Sequence, residues 1–382
     1  MKNVFIIGSK GIPAQYGGFE TFVEKLTKLK LDENITYYVS CMSKEQGTFK
    51  YNNAECFNIK VPNLGPLGRI IHVINALKYT IKKIDNNNLD NVIVLILGCR
   101  AGLVMKRYYK ILNRKNIKVF VNPDGLEWKR DKWNFLEKKI LKFCEKRLVM
   151  YSDKIICDSK EIQRLMITLF NVPKEKTVYI AYGAEKVDKL KSTEKLEKWF
   201  NKNETSKNQY YLIVGRFVPE NNYETMISEF MKSSSQRDLI IITNVEQNKF
   251  YNKLKKVTKF ENDKRIKFVG TVYDQKLLNQ IRQNAFAYIH GHEVGGTNPS
   301  LLEALANTRL NILLDVKFNR EVGQSSCIYF NKDKNSLSKK IDYCEKLTDQ
   351  EIEKYGKLAK SHITNRYNWK KICSAYEDTF TK

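Results

Sequence analysis

The residues best suited to chemistry lie in one stretch of this 382-residue chain: Tyr288-Ile289-His290-Gly291-His292-Glu293-Val294-Gly295-Gly296-Thr297-Asn298-Pro299-Ser300-Leu301-Leu302-Glu303-Ala304-Leu305. An apolar strand ends at His290, a glycine-bearing loop follows, and Asn298-Pro299 reads as the N-cap and first position of a helix. The positive end of that helix, with Thr297, Asn298 and Ser300 around it, suits a phosphate. Glu303, one turn further on, is placed to accept hydrogen bonds from a ribose. His290 and His292 have no carboxylate or cysteine at metal-ligand spacing. They read as hydrogen-bonding groups of a cleft, and no metal site is expected.

Three further groups are weaker on their own. Gly215-Arg216 closes an apolar strand, and the planar fork of an arginine there fits a diphosphate. The plainer reading is a surface arginine at a strand end. Asn122-Pro123-Asp124-Gly125-Leu126-Glu127-Trp128-Lys129-Arg130 also follows a strand. In it Asp124 and Glu127 can orient or deprotonate a substrate hydroxyl, and Lys129 and Arg130 can meet phosphate. A turn followed by a helix with solvated charges is the alternative. Gly8-x-x-Gly11 is not G-x-G-x-x-G, so a dinucleotide fingerprint is not expected. Gly17-Gly18 opens a helix whose amides can face an anion, although ordinary turn glycines fit as well.

The elements that must position these groups are legible as apolar runs. Strands are expected at Val4–Ile7, Val92–Leu97, Val119–Val121 and Lys154–Cys157, with helices over roughly 69–84, 101–114 and 131–150 between them. Such alternation implies a parallel sheet covered on both faces. From about 186 to 208 the chain turns Lys/Glu/Asn/Ser-rich, and then the pattern restarts at 210–215, 239–242, 266–270, 285–289 and 311–314. The expected organisation is therefore α/β with two domains, 1–190 and 209–365, and a terminal helix within 366–382 that can pack back on the first. Two doubly wound domains place ligands at the carboxyl ends of their strands, facing a cleft.

Composition narrows the partners. Lysine and arginine number 67 against 42 acidic residues, a net charge of +25, and residues 101–150 alone hold 14 basic and five acidic side chains. That field favours phosphates: nucleic acid, an anionic lipid surface or a phosphorylated substrate. The bland reading, a solvated lysine-rich surface, covers most of these lysines. The eight cysteines are scattered with no C-x-x-C pair, which suits reduced thiols and a cytoplasmic setting. No apolar run approaches the roughly 20 residues of a membrane span, and the start has no signal-peptide pattern.

Taken together, these residues resemble the retaining GT-B glycosyltransferases of the family-four type. They are most similar to the bacterial rhamnosyltransferase-like group of capsule and cell-wall polysaccharide assembly. The resemblance spans nearly the whole chain. It rests on Gly8-Ser9-Lys10-Gly11-Ile12-Pro13 with Tyr16-Gly17-Gly18-Phe19-Glu20-Thr21, Asp124 through Arg130, Gly215-Arg216-Phe217-Val218-Pro219-Glu220-Asn221-Asn222, and His290-Gly291-His292 through Glu303. It implies two Rossmann-like domains, the first for the acceptor and the second for the nucleotide sugar. It also implies transfer of L-rhamnose from dTDP-rhamnose, or of another sugar from a UDP-sugar, with retention and without a metal or other cofactor. The acceptor it implies is a sugar on a polyprenyl diphosphate. Arg216 matches the arginine that binds the donor diphosphate, with Gly215 beside it. Glu303 matches the second glutamate of the E-x7-E element, which holds the nucleotide ribose. The first glutamate of that element falls on Gly295, with Glu293 two residues out of register, and the lysine of G-R-x-x-x-x-K falls on Asn221. Asp124 stands where many relatives carry a histidine near the reacting sugar.

The expected catalytic set is thus Asp124, Glu127 and His292. The donor set is Gly215, Arg216, Thr297, Asn298, Ser300 and Glu303, and the acceptor-phosphate set is Gly17, Gly18, Lys129 and Arg130. A sugar-nucleotide 2-epimerase of the same architecture is one alternative. A nucleic-acid-binding protein is another, although no nucleic-acid module is recognisable, and no nucleic-acid partner is expected. The lipid-linked acceptor implies peripheral attachment to the inner face of an anionic membrane. Lys106, Arg107, Lys110 and Arg114 on one helix, and Lys138, Lys139, Lys142 and Lys146 on the next, are interleaved with apolar residues that suit this role.

Overall fold

A run such as Val92-Ile93-Val94-Leu95-Ile96-Leu97 has no polar alternation, so as a strand it needs cover on both faces. In the computed structural model, which describes every residue except Tyr16, Asn63, Lys186, Val187 and Lys189, such strands form two parallel-sheet units. One unit comprises Met1–Gly183 with Trp369–Lys382, the other Ala184–Asn368. Tyr16 of the second glycine motif, and part of the segment expected to link the domains, therefore lie outside the described residues.

The first unit contains β1 Lys2–Ile7, β2 Ile35–Ser43, β3 Gly47–Tyr51, β4 Ala54–Lys60, β5 Val92–Leu97, β6 Lys118–Asn122, β7 Lys154–Cys157 and β8 Thr177–Tyr179. They lie in the order β3-β4-β2-β1-β5-β6-β7-β8, and only the β3–β4 pair is antiparallel. The helices are α1 Gly18–Lys28, α2 Pro66–Asn87, α3 Met105–Arg114, α4 Phe135–Met150 and α5 Lys160–Phe170. All six residues of β5 are buried, as cover on both faces demands.

The second unit holds β9 Tyr210–Val214, β10 Asp238–Ile242, β11 Ile266–Gly270, β12 Ala287–His290, β13 Asn311–Leu314 and β14 Ile328–Phe330, all parallel in the order β11-β10-β9-β12-β13-β14. Its helices are α6 Glu194–Lys202, α7 Tyr223–Lys232, α8 Lys249–Thr258, α9 Gln275–Asn284, α10 Pro299–Asn307, α11 Lys317–Gly323, α12 Ser336–Glu345 and α13 Asp349–Arg366. Alternate strand residues feed two cores, as the two-residue period of a strand requires. Tyr211, Ile213, Leu239 and Ile241 pack with Met226 and Phe230 of α7. Tyr210, Leu212, Ile240 and Ile242 pack with Leu196, Trp199 and Phe200 of α6. The polar segment before residue 209 therefore contains a helix that belongs to this unit's core.

The last helix, α14 Trp369–Thr381, is part of the first unit. Its Glu377 carboxylate accepts the Leu31 amide at 3.1 Å, the Asp32 amide at 2.9 Å and the Tyr37 hydroxyl at 3.0 Å. Among the described residues no helix is long and apolar enough to cross a membrane.

Candidate functional site

In each sheet the strand order reverses at one point, and the loops leaving the two strands there diverge to leave room for a ligand. In the second unit that point lies between β9 and β12. The segments leaving them, 215–222 and 291–298, are stitched together. Asn221 donates its Nδ2 to the Arg216 carbonyl at 2.6 Å, and its Oδ1 lies 2.7 Å from Nδ1 of His292. Since that Oδ1 can only accept, His292 carries its proton on Nδ1. Asn222 donates to the Gly291 carbonyl at 2.8 Å, and the Glu293 amide donates to the Glu220 carbonyl at 3.2 Å. The Arg216 side chain is exposed and pairs with no carboxylate among the described residues.

The start of α10 is built as the sequence predicts, with one consequence for its amides. Asn298 caps the helix, its Oδ1 accepting the Ser300 amide at 2.9 Å and the Leu301 amide at 3.3 Å. Pro299 has no amide hydrogen, and the Leu302 amide bonds the Asn298 carbonyl. The first-turn amides are thus satisfied internally, and what this helix offers a phosphate is its dipole. The Gly295 and Gly296 amides just before it meet no acceptor among the described residues. Gly295 has φ 125°, a conformation that side-chain-bearing residues rarely adopt. A glutamate at this position would strain the backbone, so the loop is built differently from the E-x7-E pattern. Glu293 instead forms an ion pair with Lys332.

Beneath this edge lies a hydrogen-bonded cluster. The hydroxyls of Tyr288 and Ser300 both lie 3.1 Å from the Val214 carbonyl, and Nδ1 of His290 is 3.3 Å from the Tyr288 oxygen. With both hydroxyl protons on that carbonyl, the ring donates through Nδ1 and its Nε2 is left as a buried acceptor with no partner among the described residues. Burial, with His292 adding to it, pushes the His290 pKa down to about 3, so the ring is neutral at physiological pH. Glu303 bonds Nη1 of the buried Arg282 at 2.8 Å and is itself about one-third exposed.

In the first unit the order reverses between β1 and β5. The loop after β1 is tied to α1 through Glu20, which accepts the Lys10 amide at 2.7 Å. That carboxylate lies against Gly17 at the head of α1: a Cβ on Gly17 would sit 1.9 Å from its Oε2. A side chain of the chain itself thus already occupies the position expected to face an anion. After β6, Asp124 takes a left-handed conformation (φ 67°), its amide held by Asn122 at 3.0 Å, with its carboxylate 3.9 Å from Arg130. Glu127 is buried and bonds Arg130 at 2.8 Å, Lys132 at 2.7 Å and the Trp133 indole at 3.2 Å. Burial opposes its ionisation, but Arg130, Lys132 and Arg100 outweigh it and hold its pKa below the usual carboxylate range. Among the described residues no three His, Cys, Asp or Glu side chains gather where they could hold a metal ion.

Residues 195–362 match the family described as glycosyl transferases group 1, and residues 1–185 match a domain of unknown function, DUF1972. The chain is a glycosyltransferase of the GT-B type. An uncharacterized glycosyltransferase of Methanocaldococcus jannaschii is 23% identical over 389 residues, covering 96% of this chain and 95% of that protein. Among solved structures, sucrose-phosphate synthase of Thermosynechococcus elongatus superposes with a TM-score of 0.79 at 12% identity, covering 100% of this chain and 98% of that one. Anabaena HepE, solved in complex with UDP, gives 0.73 at 13% identity and covers 100% of both chains.

The two units of this glycosyltransferase sort the expected site residues. Gly215, Arg216, His292, Thr297, Asn298, Ser300 and Glu303 belong to the second, grouped by the ends of β9 and β12. Gly17, Gly18, Asp124, Glu127, Lys129 and Arg130 belong to the first. Lys129 is exposed, its Nζ 5.5 Å from the Trp128 ring, whereas the Arg130 guanidinium is committed to Glu127. Three residues, and the bridging role of Asn221, escaped the reading of the sequence. Asn221 and Arg282 act through contacts 71 and 21 positions away, which no local pattern signals. Arg100 follows β5 at the reversal point, carries no carboxylate partner among the described residues and draws down the Glu127 pKa. A cation three residues past an apolar strand was a signal that could have been read. Glu145 is buried in α4, one oxygen on the Trp128 indole at 2.5 Å and the other without a partner among the described residues.

Proposed function

We propose that this glycosyltransferase moves a sugar from a nucleotide-diphosphate donor, dTDP-rhamnose before a UDP-sugar, onto a sugar carried by a polyprenyl diphosphate, with retention of configuration. The observation that carries the donor half is Arg216, exposed at the end of β9 with no carboxylate partner among the described residues, on a segment stitched to the loop bearing the Gly295 and Gly296 amides. A cation and free amides on fixed backbone are what a diphosphate needs both to bind and to leave. Glu303, steadied by Arg282, takes the ribose, and Gly215, Thr297, Asn298 and Ser300 shape the rest of the donor site. His292, fixed by Asn221, hydrogen-bonds the donor sugar. On the acceptor side, Asp124 orients the attacking hydroxyl. Lys129 and Arg100 face the acceptor diphosphate, with Gly17 and Gly18 left to seat the Glu20 carboxylate, while Glu127 and Arg130 brace the Asp124 turn.

In the step itself the acceptor oxygen forms a bond to the anomeric carbon on the face from which the diphosphate departs. The bond from that carbon to the phosphate oxygen breaks, and the departing phosphate takes the hydroxyl proton. Retention follows from the shared face, and Arg216 with the glycine amides stabilises the charge that develops. The acceptor implies work at the cytoplasmic face of an anionic membrane, as a peripheral protein. The relation of this chain to HepE, solved with UDP and with UDP-glucose, supports a nucleotide-sugar donor. The test is transfer from a panel of dTDP-, UDP- and GDP-sugars to a short-chain prenyl-diphosphate sugar, with the product's anomeric configuration read by NMR. Transfer from dTDP-rhamnose with retention is expected. Donor hydrolysis without transfer, 2-epimerisation of a UDP-sugar, or an inverted linkage contradicts the proposal.

A further inference from the structure

We infer that the outward face of α4 is a docking surface for an anionic lipid bilayer, into whose headgroup region Phe135, Leu136, Ile140 and Phe143 insert. This deepens the lipid-linked acceptor reading and rests on it for its biological purpose, but the surface is argued from its own residues. Phe135 is 74% exposed, Leu136 65%, Phe143 51% and Ile140 45%. At about 100° per residue these four, with exposed Met150, share one side of the helix. The opposite side carries the buried Cys144, Glu145, Leu148 and Val149. That orientation is fixed by contact, because a Cβ on Gly102 would lie 2.0 Å from the Cys144 carbonyl oxygen. The preceding helix has no such stripe. Met105, Tyr108 and Leu112 of α3 are buried and serve the core, while its four cations, Lys106, Arg107, Lys110 and Arg114, are exposed.

Charge decides the occupant. Lys139 and Lys146 lie among the apolar residues of the stripe and Lys142 at its edge, and none of the three has a carboxylate partner among the described residues, while Lys138 bonds Asp131 at 3.2 Å. Lys139 lies 4.4 Å from the centre of the Phe135 ring and Lys142 4.9 Å from that of Trp128. Apolar stems therefore lie along aromatic surface with the ammonium groups at the rim, an arrangement that suits an interface between hydrocarbon and phosphate. A second copy of the chain docked on the same face would bring lysines against lysines, because a two-fold contact repeats the same patch on both sides. Anionic lipid neutralises them.

Co-sedimentation with phosphatidylcholine vesicles, with and without one-third phosphatidylglycerol, tests this, and needs neither donor nor acceptor. The wild type is expected to pellet with the anionic vesicles and to be released by salt. Changing Phe135→Ser, Leu136→Ser, Ile140→Ser and Phe143→Ser together, every lysine kept, should cut the bound fraction roughly tenfold. The variant should melt as the wild type does and keep transfer to a short-chain soluble acceptor. In a second variant, Phe143→Trp, brominated lipids should quench the added fluorescence. Equal pelleting of wild type and serine variant, no quenching at position 143, or a serine variant that turns a dimer into a monomer without altering vesicle binding overturns the proposal. A protein that pellets as predicted but transfers no sugar would instead contradict the transferase reading and leave the docking surface standing.

Discussion

At position 221 an amide stands where the resemblance expects a lysine, and it binds the arginine segment to the histidine loop instead of meeting phosphate itself. Glu303 likewise has a second duty. Its partner Arg282 is almost wholly buried, and removing one member of such a pair leaves a charge uncompensated. Glu303→Gln should therefore lower stability by about 1–2 kcal/mol, since glutamine keeps one acceptor and the site is partly hydrated. Thermal denaturation showing a drop of a few degrees supports this, and an unmoved Tm does not. Glu145 gives the clearest pH effect. Burial, then repulsion from Asp124 and Glu127, push its pKa up to about 8 against the pull of the Trp128 indole. The folded state thus keeps a proton that the unfolded chain has already lost above pH 4.5, so stability falls as pH rises from there to about 8. Glu145→Gln removes that titration while keeping an acceptor for the indole. Its Tm relative to wild type should rise between pH 5 and pH 9, and a constant difference across that range contradicts the assignment.

At the scale of elements, the loops after β5 and β9 each carry, at a reversal point, an arginine with no carboxylate partner among the described residues. Arg100→Ala should raise the KM for the lipid-diphosphate acceptor roughly tenfold with donor affinity unchanged, the loss of one charged hydrogen bond being of this order. Steady-state kinetics varied separately in donor and acceptor decides this, and an unchanged acceptor KM removes Arg100 from the site. The sequence made β5 and β9 legible because their apolar runs have no competing period. Ile35-Thr36-Tyr37-Tyr38-Val39-Ser40-Cys41-Met42-Ser43 mixes hydroxyls with apolar groups and hides β2, although Ser40 is fully buried. The helix α4 was found but not its faces, because apolar residues lie on both sides and periodicity cannot tell core from surface. The α10 cap was readable from Asn298-Pro299, whereas the use of its amides depended on three-dimensional bonds.

Across the whole molecule, each unit has its own sheet, and the first is completed by a helix nearly 200 residues later in the chain. The aromatic residues Tyr376 and Phe380 of α14 pack on Phe22, Tyr37 and Phe120, and Glu377 fastens α14 to residues 31, 32 and 37. Glu377→Ala should destabilise the first unit by about 2–4 kcal/mol, since it strands two amides and a hydroxyl. Hydrogen exchange should show the loss in β1 and β2 and not in β9 and β12; equal loosening of both units counts against this division of labour. Sugar transfer by this chain depends first on the donor site in the second unit. Calorimetric titration of dTDP-rhamnose, UDP-glucose and a GDP-sugar into the wild type and into Arg216→Ala probes it directly. The wild type should bind dTDP-rhamnose most tightly, and the variant should bind it at least tenfold more weakly while keeping its fold. Binding of none of these donors by the folded wild type, or equal affinity in the variant, contradicts the account.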